Sequence, residues 1–294
     1  MRFTVFTPAY NRAYCIEQLY RSLQRQTFRD FEWIVIDDGS KDNTEEVVAG
    51  FLAEQNFFPI RYQKVPNGGK HRAFNLAVRM AEGEMFTCVD SDDYLTDDAL
   101  EVADAVEKSI PEEEKQFFAG VCGQKGNPDL SPLKNSFNEP EYQDLTYLER
   151  IDRKCFGDGA ESFYTEVLRR YPFVEYEGEN FLTEATVLFE MARNGLKTRF
   201  FSKVIKIIEY LPDGLTANSE KRFVENPKGW GLYIYQRIEN GLLQGFGKWE
   251  VIAKYFYACR ARLSIREMAK TLHLRPTAFF LRIVGLRLVY RLYR

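Results

Sequence analysis

The sequence predicts an α/β protein with a mostly parallel sheet covered by helices on both faces and a helical C-terminal extension. Over the first hundred residues short apolar runs alternate with amphipathic helical patterns, and each run ends in a cluster of acidic or turn-forming residues. After about residue 215 only helical patterns remain, which bounds the sheet.

Phe3 to Thr7 is the first apolar run and stops at Pro8, which lacks a backbone donor. Ile16, Leu19, Tyr20 and Leu23 then recur at helical spacing. Phe31 to Ile36 is a second strand, closed by Asp37-Asp38-Gly39-Ser40, and Val47, Val48, Phe51 and Leu52 mark the next helix. Ile60 to Val65 is a third strand, ended by Pro66-Asn67-Gly68-Gly69 and followed by a helix carrying Ala73, Phe74, Ala77 and Ala81. Met85 to Val89 is the fourth, and it runs into Asp90-Ser91-Asp92-Asp93. Each candidate motif follows a strand, where open α/β sheets present their ligands.

The middle third is less regular. Gly123 to Asn138 is rich in Gly, Pro, Asn and Ser and reads as a flexible loop. Glu161 to Tyr171 reads as helix and Thr198 to Tyr210 as strand. Tyr233, Ile234 and Ile238 belong to one later helix, and Val251, Ile252, Tyr255 and Phe256 to another. Ser264-Ile265-Arg266-Glu267 is a capping-box start for a third.

Composition excludes several classes. The 294 residues carry 43 acidic against 40 basic side chains, no sign of a nucleic-acid binder. Five scattered cysteines (15, 88, 122, 155 and 259) read as reduced thiols of a cytoplasmic protein, without zinc-site spacing. Two histidines exclude a histidine metal cluster, and His71 is given no catalytic role. The start Met1-Arg2-Phe3-Thr4-Val5-Phe6 enters strand character directly, and no signal peptide is expected. No apolar stretch is long enough to span a membrane.

Three carboxylates within four residues, at the end of a buried strand, repel one another and resist desolvation. A hard divalent cation with oxygen ligands, Mn²⁺ or Mg²⁺, offsets that charge. Asp38, also past a strand end, presents a carboxylate that can accept hydrogen bonds, although Asp and Gly are also ordinary turn formers. Gly68 and Gly69 permit close backbone approach or positive φ, and Lys70 follows them with a positive charge. The plain alternatives are a solvated lysine for Lys70 and a turn with a helix cap for the acid run.

Thr7-Pro8-Ala9-Tyr10-Asn11-Arg12, Gln26-Thr27-Phe28, Asp37-Asp38-Gly39-Ser40, Asn67-Gly68-Gly69-Lys70 with Asn75, and Asp90-Ser91-Asp92-Asp93 occur in that order. Together they resemble the family 2 glycosyltransferases, whose Rossmann-like fold is called GT-A. The resemblance covers residues 2–100 closely and the chain to about 218 more loosely. It implies transfer of a sugar from a nucleotide-diphosphate donor, here a UDP-sugar, usually with inversion and a divalent metal. It assigns Asp38 to the base, and Thr7, Pro8, Tyr10, Arg12, Lys70, Asp90 and Ser91 to the nucleotide. Asp92 becomes the direct metal ligand. Asp90 contacts ribose or the metal's water, and Asp93 is a supporting acid or an N-terminal helix acid. Residues 1–215 would form the catalytic domain, with a nucleotide-binding half (1–110) and an acceptor half (111–215). A helical region, 216–294, would follow.

An inverting displacement also needs a carboxylate base at the acceptor. Many family members carry it in a Glu-Asp pair roughly ninety residues past the metal motif. This chain has Gly178-Glu179-Asn180-Phe181-Leu182-Thr183-Glu184-Ala185 there, with no such pair. Glu184, at a helix start, is the expected base and Glu179 the alternative. Asp158 could contact acceptor or metal, and the stretch from Glu209 to Thr216 is expected to close over the donor.

The tail 276–294 carries arginines at 282, 287, 291 and 294, nine large apolar residues and no acid. It reads either as a helix packed on the core with snorkelling arginines, or as an in-plane helix on an anionic membrane surface. The second reading suggests a peripheral protein at the inner face of the cell membrane and a lipid-linked glycan acceptor from surface polysaccharide synthesis. Two rivals stay open, a sugar nucleotidyltransferase and a non-catalytic subunit of the same fold. The first would want a glycine-rich phosphate loop, and Thr7 to Arg12 has no glycine.

Overall fold

A computed structural model describes residues 1–133, 142–153, 159–208 and 219–281. Strand and helix alternate from the start as β1 (Phe3–Ala9), α1 (Ile16–Gln24), β2 (Phe31–Asp37), α2 (Thr44–Ala53), β3 (Ile60–Lys64), α3 (Lys70–Met80) and β4 (Met85–Cys88). There follow β5 (Asp93–Leu95), α4 (Ala99–Lys108), β6 (Phe118–Gly126), β7 (Gln143–Thr146), α5 (Tyr147–Asp152), β8 (Gly159–Tyr164), α6 (Thr165–Arg170), α7 (Ala185–Arg193) and β9 (Lys197–Ile208). The last described helices are α8 (Ser219–Glu225), α9 (Pro227–Glu239), α10 (Gly245–Cys259) and α11 (Ile265–Thr271).

The strands form one sheet in the order β3-β2-β1-β4-β8-β6-β9-β5, with β7 also on β9. The first four are mutually parallel, as the βαβ pattern predicts. Beyond β4 the sheet is mixed: β8 runs antiparallel to both β4 and β6, while β6 and β9 are parallel. Buried on both faces, β2 reads as a continuous apolar run interrupted only by Glu32 before its closing Asp37. On one face Tyr20 of α1 stacks 4.1 Å from Phe51 of α2 and 5.9 Å from Trp33 of β2. On the other, Phe74 of α3 packs edge-on against Phe6 at 5.7 Å, with Phe86 beside both. Helices therefore cover both faces of the parallel half.

Several expectations need correction. Pro8 does not end β1, which continues to Ala9 paired with Asp37. The β4 register stops at Phe6, so the missing N–H of Pro8 interrupts no ladder on that side. Glu161 to Tyr164 is strand rather than helix: pairing on both sides outweighs local helix propensity, and helix begins only at Thr165. Gly123 to Gly126 belongs to β6 rather than to a loop, because Gly123 packs closely under Ile205 and Phe201. Asp93 opens β5 and is no helix acid; α4 begins at Ala99, with Asp98 at its cap position. Residues 134–141, Asp158, and Glu209 to Thr216 lie outside the described residues, as does the tail from Arg282.

Two compact units result, one of residues 1–172 and 190–212 and the other of 173–189 and 213–294. The first holds the sheet. The second has its own core of Trp230, Ile234, Ile252, Tyr255, Cys259, Met268 and Phe279. The predicted capping box is present at Ser264 and Glu267.

Candidate active site

The carboxyl ends of β1, β2 and β4 lie side by side, and the loops leaving them interlock. Asp38 N donates to Ala9 O at 2.8 Å, and Asn11 N donates to Ser40 Oγ at 2.8 Å. Lys41 N returns a bond to Asn11 Oδ1 at 2.8 Å, and Arg12 N reaches Thr44 Oγ1 at 2.9 Å. Asn11 adopts φ +55°, a left-handed conformation that asparagine tolerates better than most residues, and here its side chain ties the loop to Lys41. Asp37 is buried and serves structure, one oxygen accepting from Ser40 N at 2.7 Å and the other from Tyr62 OH at 2.6 Å.

Asp38 is buried, and its carboxylate meets the glycine loop at the start of α3. It accepts Gly68 N at 2.6 Å, Gly69 N at 2.8 Å and Asn67 Nδ2 at 3.1 Å. Gly69 has φ +92° and ψ 155°, a conformation open essentially to glycine alone. Burial pushes the Asp38 carboxyl up from its usual range, against the pull of the two amides. Three donors use three of its four lone-pair sites and leave one.

Lys70, the first residue of α3, forms a bidentate ion pair with Asp90, 2.7 Å to Oδ1 and 3.0 Å to Oδ2. Burial alone would raise the Asp90 carboxyl, but Lys70, Lys125 and Lys206 outweigh it and hold the group at about 2. Asp92 moves the other way, raised by burial and by the adjacent Asp90. Asp93 is raised to about 7, chiefly by burial. Asp93 N closes the turn on Asp90 O at 3.0 Å, with Ser91 buried inside it.

Thr7, Pro8, Tyr10, Arg12, Asp38, Lys70, Asp90, Ser91 and Asp92 all fall in the first unit, around these loops. Thr7 offers a ligand only its backbone, since its hydroxyl accepts Trp33 Nε1 in the core at 2.9 Å. Tyr10 is exposed. Glu184 is exposed at the start of α7, its carbonyl accepting from Val187 N and Leu188 N. Glu179 is buried and caps α9, accepting Lys228 N at 2.7 Å and Gly229 N at 2.8 Å. Both glutamates belong to the second unit.

Among the described residues, no group of three or more His, Cys, Asp or Glu side chains could hold a metal. A carboxylate pair, Asp90 and Asp92, still suits Mg²⁺ or Mn²⁺, which keep water and take substrate phosphate oxygens instead of a full protein cage. Sequence reasoning missed Asn11, Asp42, Thr44 and Lys206. Of these only Asp42 bonds its own loop, accepting Thr44 N at 3.1 Å, an Asx-type turn legible in sequence; Asn11 and Thr44 bond the backbone of the neighbouring loop, which no spacing shows. A lysine between Ile205 and Ile207 gives no signal in the sequence.

Residues 4–170, more than half of the chain, match the family described as Glycosyl transferase family 2. The chain belongs to that family. Over 249 residues it is 35% identical to the GalNAc(5)-diNAcBac-PP-undecaprenol beta-1,3-glucosyltransferase of Campylobacter jejuni, covering 82% of this chain and 75% of that protein. It is 35% identical over 139 residues to the chondroitin synthase of Pasteurella multocida, 47% of this chain but only 14% of that longer protein. The structure of Staphylococcus aureus TarS 1-349 in complex with UDP-GlcNAc superposes with TM-score 0.60 at 19% identity, covering 100% of this chain and 93% of that one. The mannosyltransferase PcManGT from Pyrobaculum calidifontis, in complex with GDP-Man and Mn²⁺, gives TM-score 0.55 at 18% identity over 99% of this chain and 82% of that one. The GT-A fold is thus established for this family 2 member. No helix of the described residues is long and apolar enough to cross a membrane.

Proposed function

We propose that this family 2 protein is an inverting glycosyltransferase that moves a sugar from a UDP-sugar to a hydroxyl of a lipid-linked glycan. The observation carrying the proposal is a convergence on one face of the first unit. Asp38 stands against the glycine loop, and beside it the Lys70–Asp90 pair and Asp92 gather where β4 ends. The remaining lone pair of Asp38 takes the uracil imide N–H, and the exposed Tyr10 ring lies against the base. Arg12 and Lys70 bring positive charge to the diphosphate, Asp90 faces the ribose, and Ser91, buried in its turn, meets the nucleotide through its backbone.

Asp92, with Asp90 beside it, would hold Mn²⁺ or Mg²⁺, and the bound cation would supply Lewis-acid stabilisation to the departing diphosphate. Glu184 takes the proton from the acceptor hydroxyl. The acceptor oxygen then bonds to the anomeric carbon as the bond to the diphosphate oxygen breaks on the opposite side, which inverts that carbon. Glu179 is the weaker candidate, because both its oxygens are used in capping α9. The named action of the Campylobacter relative on an undecaprenol-linked substrate supports the acceptor class.

Incubation with UDP-, dTDP- and GDP-sugars and an undecaprenyl-diphosphate-linked oligosaccharide, followed by product analysis, tests the proposal. Transfer from a UDP-sugar with an inverted anomeric linkage is expected; transfer from GDP-sugars alone, or with retention, would overturn it. The arginine-rich tail would seat the protein on the inner face of an anionic membrane. Phe279 is fully buried in the core of the second unit, so that residue serves packing and the membrane role falls to the rest of the tail. Replacing Arg282, Arg287, Arg291 and Arg294 with glutamine should abolish co-sedimentation with anionic vesicles, and unchanged sedimentation would discard that role.

A further inference from the structure

We infer that Lys206 is a positioning residue, a buried cation built into the sheet to hold and counterbalance the Asp90–Asp93 loop before any ligand arrives. The inference rests on the metal and UDP-sugar reading of that loop and names a residue outside it. Lys206 lies in β9, opposite Leu95 of β5 and beside Lys125 of β6. It is 4% exposed, flanked by Ile205 and Ile207, which are also buried. Nothing in this part of the strand calls for a charge, and a buried ammonium is unfavourable unless compensated.

The compensation is specific. Lys206 Nζ donates to Cys88 O at 2.6 Å, and Cys88 is the last residue of β4 before the acid loop. The same charge acts favourably on Asp90 and Asp93. Lys70 meets Asp90 from α3, whereas Lys206 reaches the loop from within the sheet. With Lys125 of β6, these two lysines offset a loop that carries three carboxylates in four residues. Pinning the Cys88 carbonyl fixes where the chain leaves β4, and with it the direction in which Asp90 and Asp92 point.

This role has an electrostatic signature that a purely structural one lacks. Lys206→Met keeps an apolar stem and removes the charge, so the loop becomes more negative. Divalent cations should then bind more tightly and the anionic nucleotide more weakly, whereas simple loosening of the site would weaken both.

Isothermal titration of the full-length protein with Mn²⁺ alone, and with UDP alone in EDTA, reads the two effects separately. For Lys206→Met we expect Mn²⁺ affinity to rise about threefold or more and metal-free UDP affinity to fall about threefold or more. Lys206→Arg should return both to within about twofold of wild type, since it keeps the charge. If Lys206→Met does not fold, Lys206→Gln, which retains a donor for Cys88 O, serves in its place with the same expected signs. Unchanged affinities, or losses of both in parallel, would overturn the inference. If wild type itself binds neither Mn²⁺ nor UDP, the underlying functional reading fails instead, a result distinct from a silent variant.

Discussion

Lys70 and Asp90 form a bidentate ion pair, with Nζ 2.7 Å from one carboxylate oxygen and 3.0 Å from the other, that ties the start of α3 to the loop after β4. The pair keeps the Asp90 carboxyl at about 2, well below its ordinary value of 3.8. A depressed acid contributes stability that is present above its unfolded pKa and lost as pH falls through the folded value. For Asp90 that window runs from about pH 4 down to about 2. Lys70→Met should therefore move acid unfolding, followed by circular dichroism, to higher pH. It should also weaken UDP binding about tenfold, the scale of one charge-assisted contact.

Asp38 holds the glycine loop together as well as facing the nucleotide. Removing the carboxylate leaves Gly68 N and Gly69 N without their acceptor, while Asn67 Nδ2 keeps its bond to Asp38 O at 2.8 Å. Asp38→Ala should lower unfolding free energy by about 2–3 kcal/mol and abolish preference for UDP over CDP in a binding competition. Asp38→Asn should retain more stability but still lose the discrimination, since an amide presents only one oxygen acceptor.

Glu179 and Glu184 should separate cleanly. Glu179 caps α9 with both oxygens, so Glu179→Ala should cost about 1–2 kcal/mol of stability. Exposed Glu184 should leave melting unchanged when replaced by glutamine. If it is the base, Glu184→Gln should reduce kcat for transfer by about 100-fold or more with donor KM little changed. Paired melting and steady-state assays measure both.

At the other end of the sheet, Arg2 bridges Asp104 at 2.6 Å, Glu84 at 2.6 Å and the buried Glu107, which also accepts from Tyr164 OH at 2.7 Å. Burial opposes ionisation of Asp104 and Glu107, but their cationic and hydroxyl partners prevail and depress both acids. Their contribution is present at neutral pH and is lost as pH falls below the ordinary carboxylate range. Arg2→Met should cost about 3 kcal/mol at pH 7, as for a broken buried pair, and less at low pH where the acids are protonated. Urea denaturation at several pH values checks this.

The parallel half of the fold was legible because its strands are apolar on both faces and end in turn residues, as β2 does from Phe31 to Asp37. The antiparallel half was less so. Strand β8 contains Gly159-Ala160-Glu161-Ser162-Phe163-Tyr164, whose pattern is decided by β4 and β6 on either side rather than by its own composition. Acids of the site were visible as a repelling cluster, but their differing states were not. Those depend on Lys70, Lys125 and Lys206, which approach from three separate elements. Gln26 marked a motif without a reason; its amide bonds Ser22 O, Thr96 O and Leu100 N, joining α1 to the turn before α4.

UDP release from a UDP-sugar, measured for wild type and Asp92→Asn with Mn²⁺ and again in EDTA, reaches the metal assignment most directly. Wild type should turn over only with the metal. Asp92→Asn should lose about 100-fold or more of the rate while melting no lower, since burial already disfavours the Asp92 carboxylate. Equal turnover in EDTA, or a wild-type rate from Asp92→Asn, would contradict the assignment of Asp92 to a metal at the donor diphosphate.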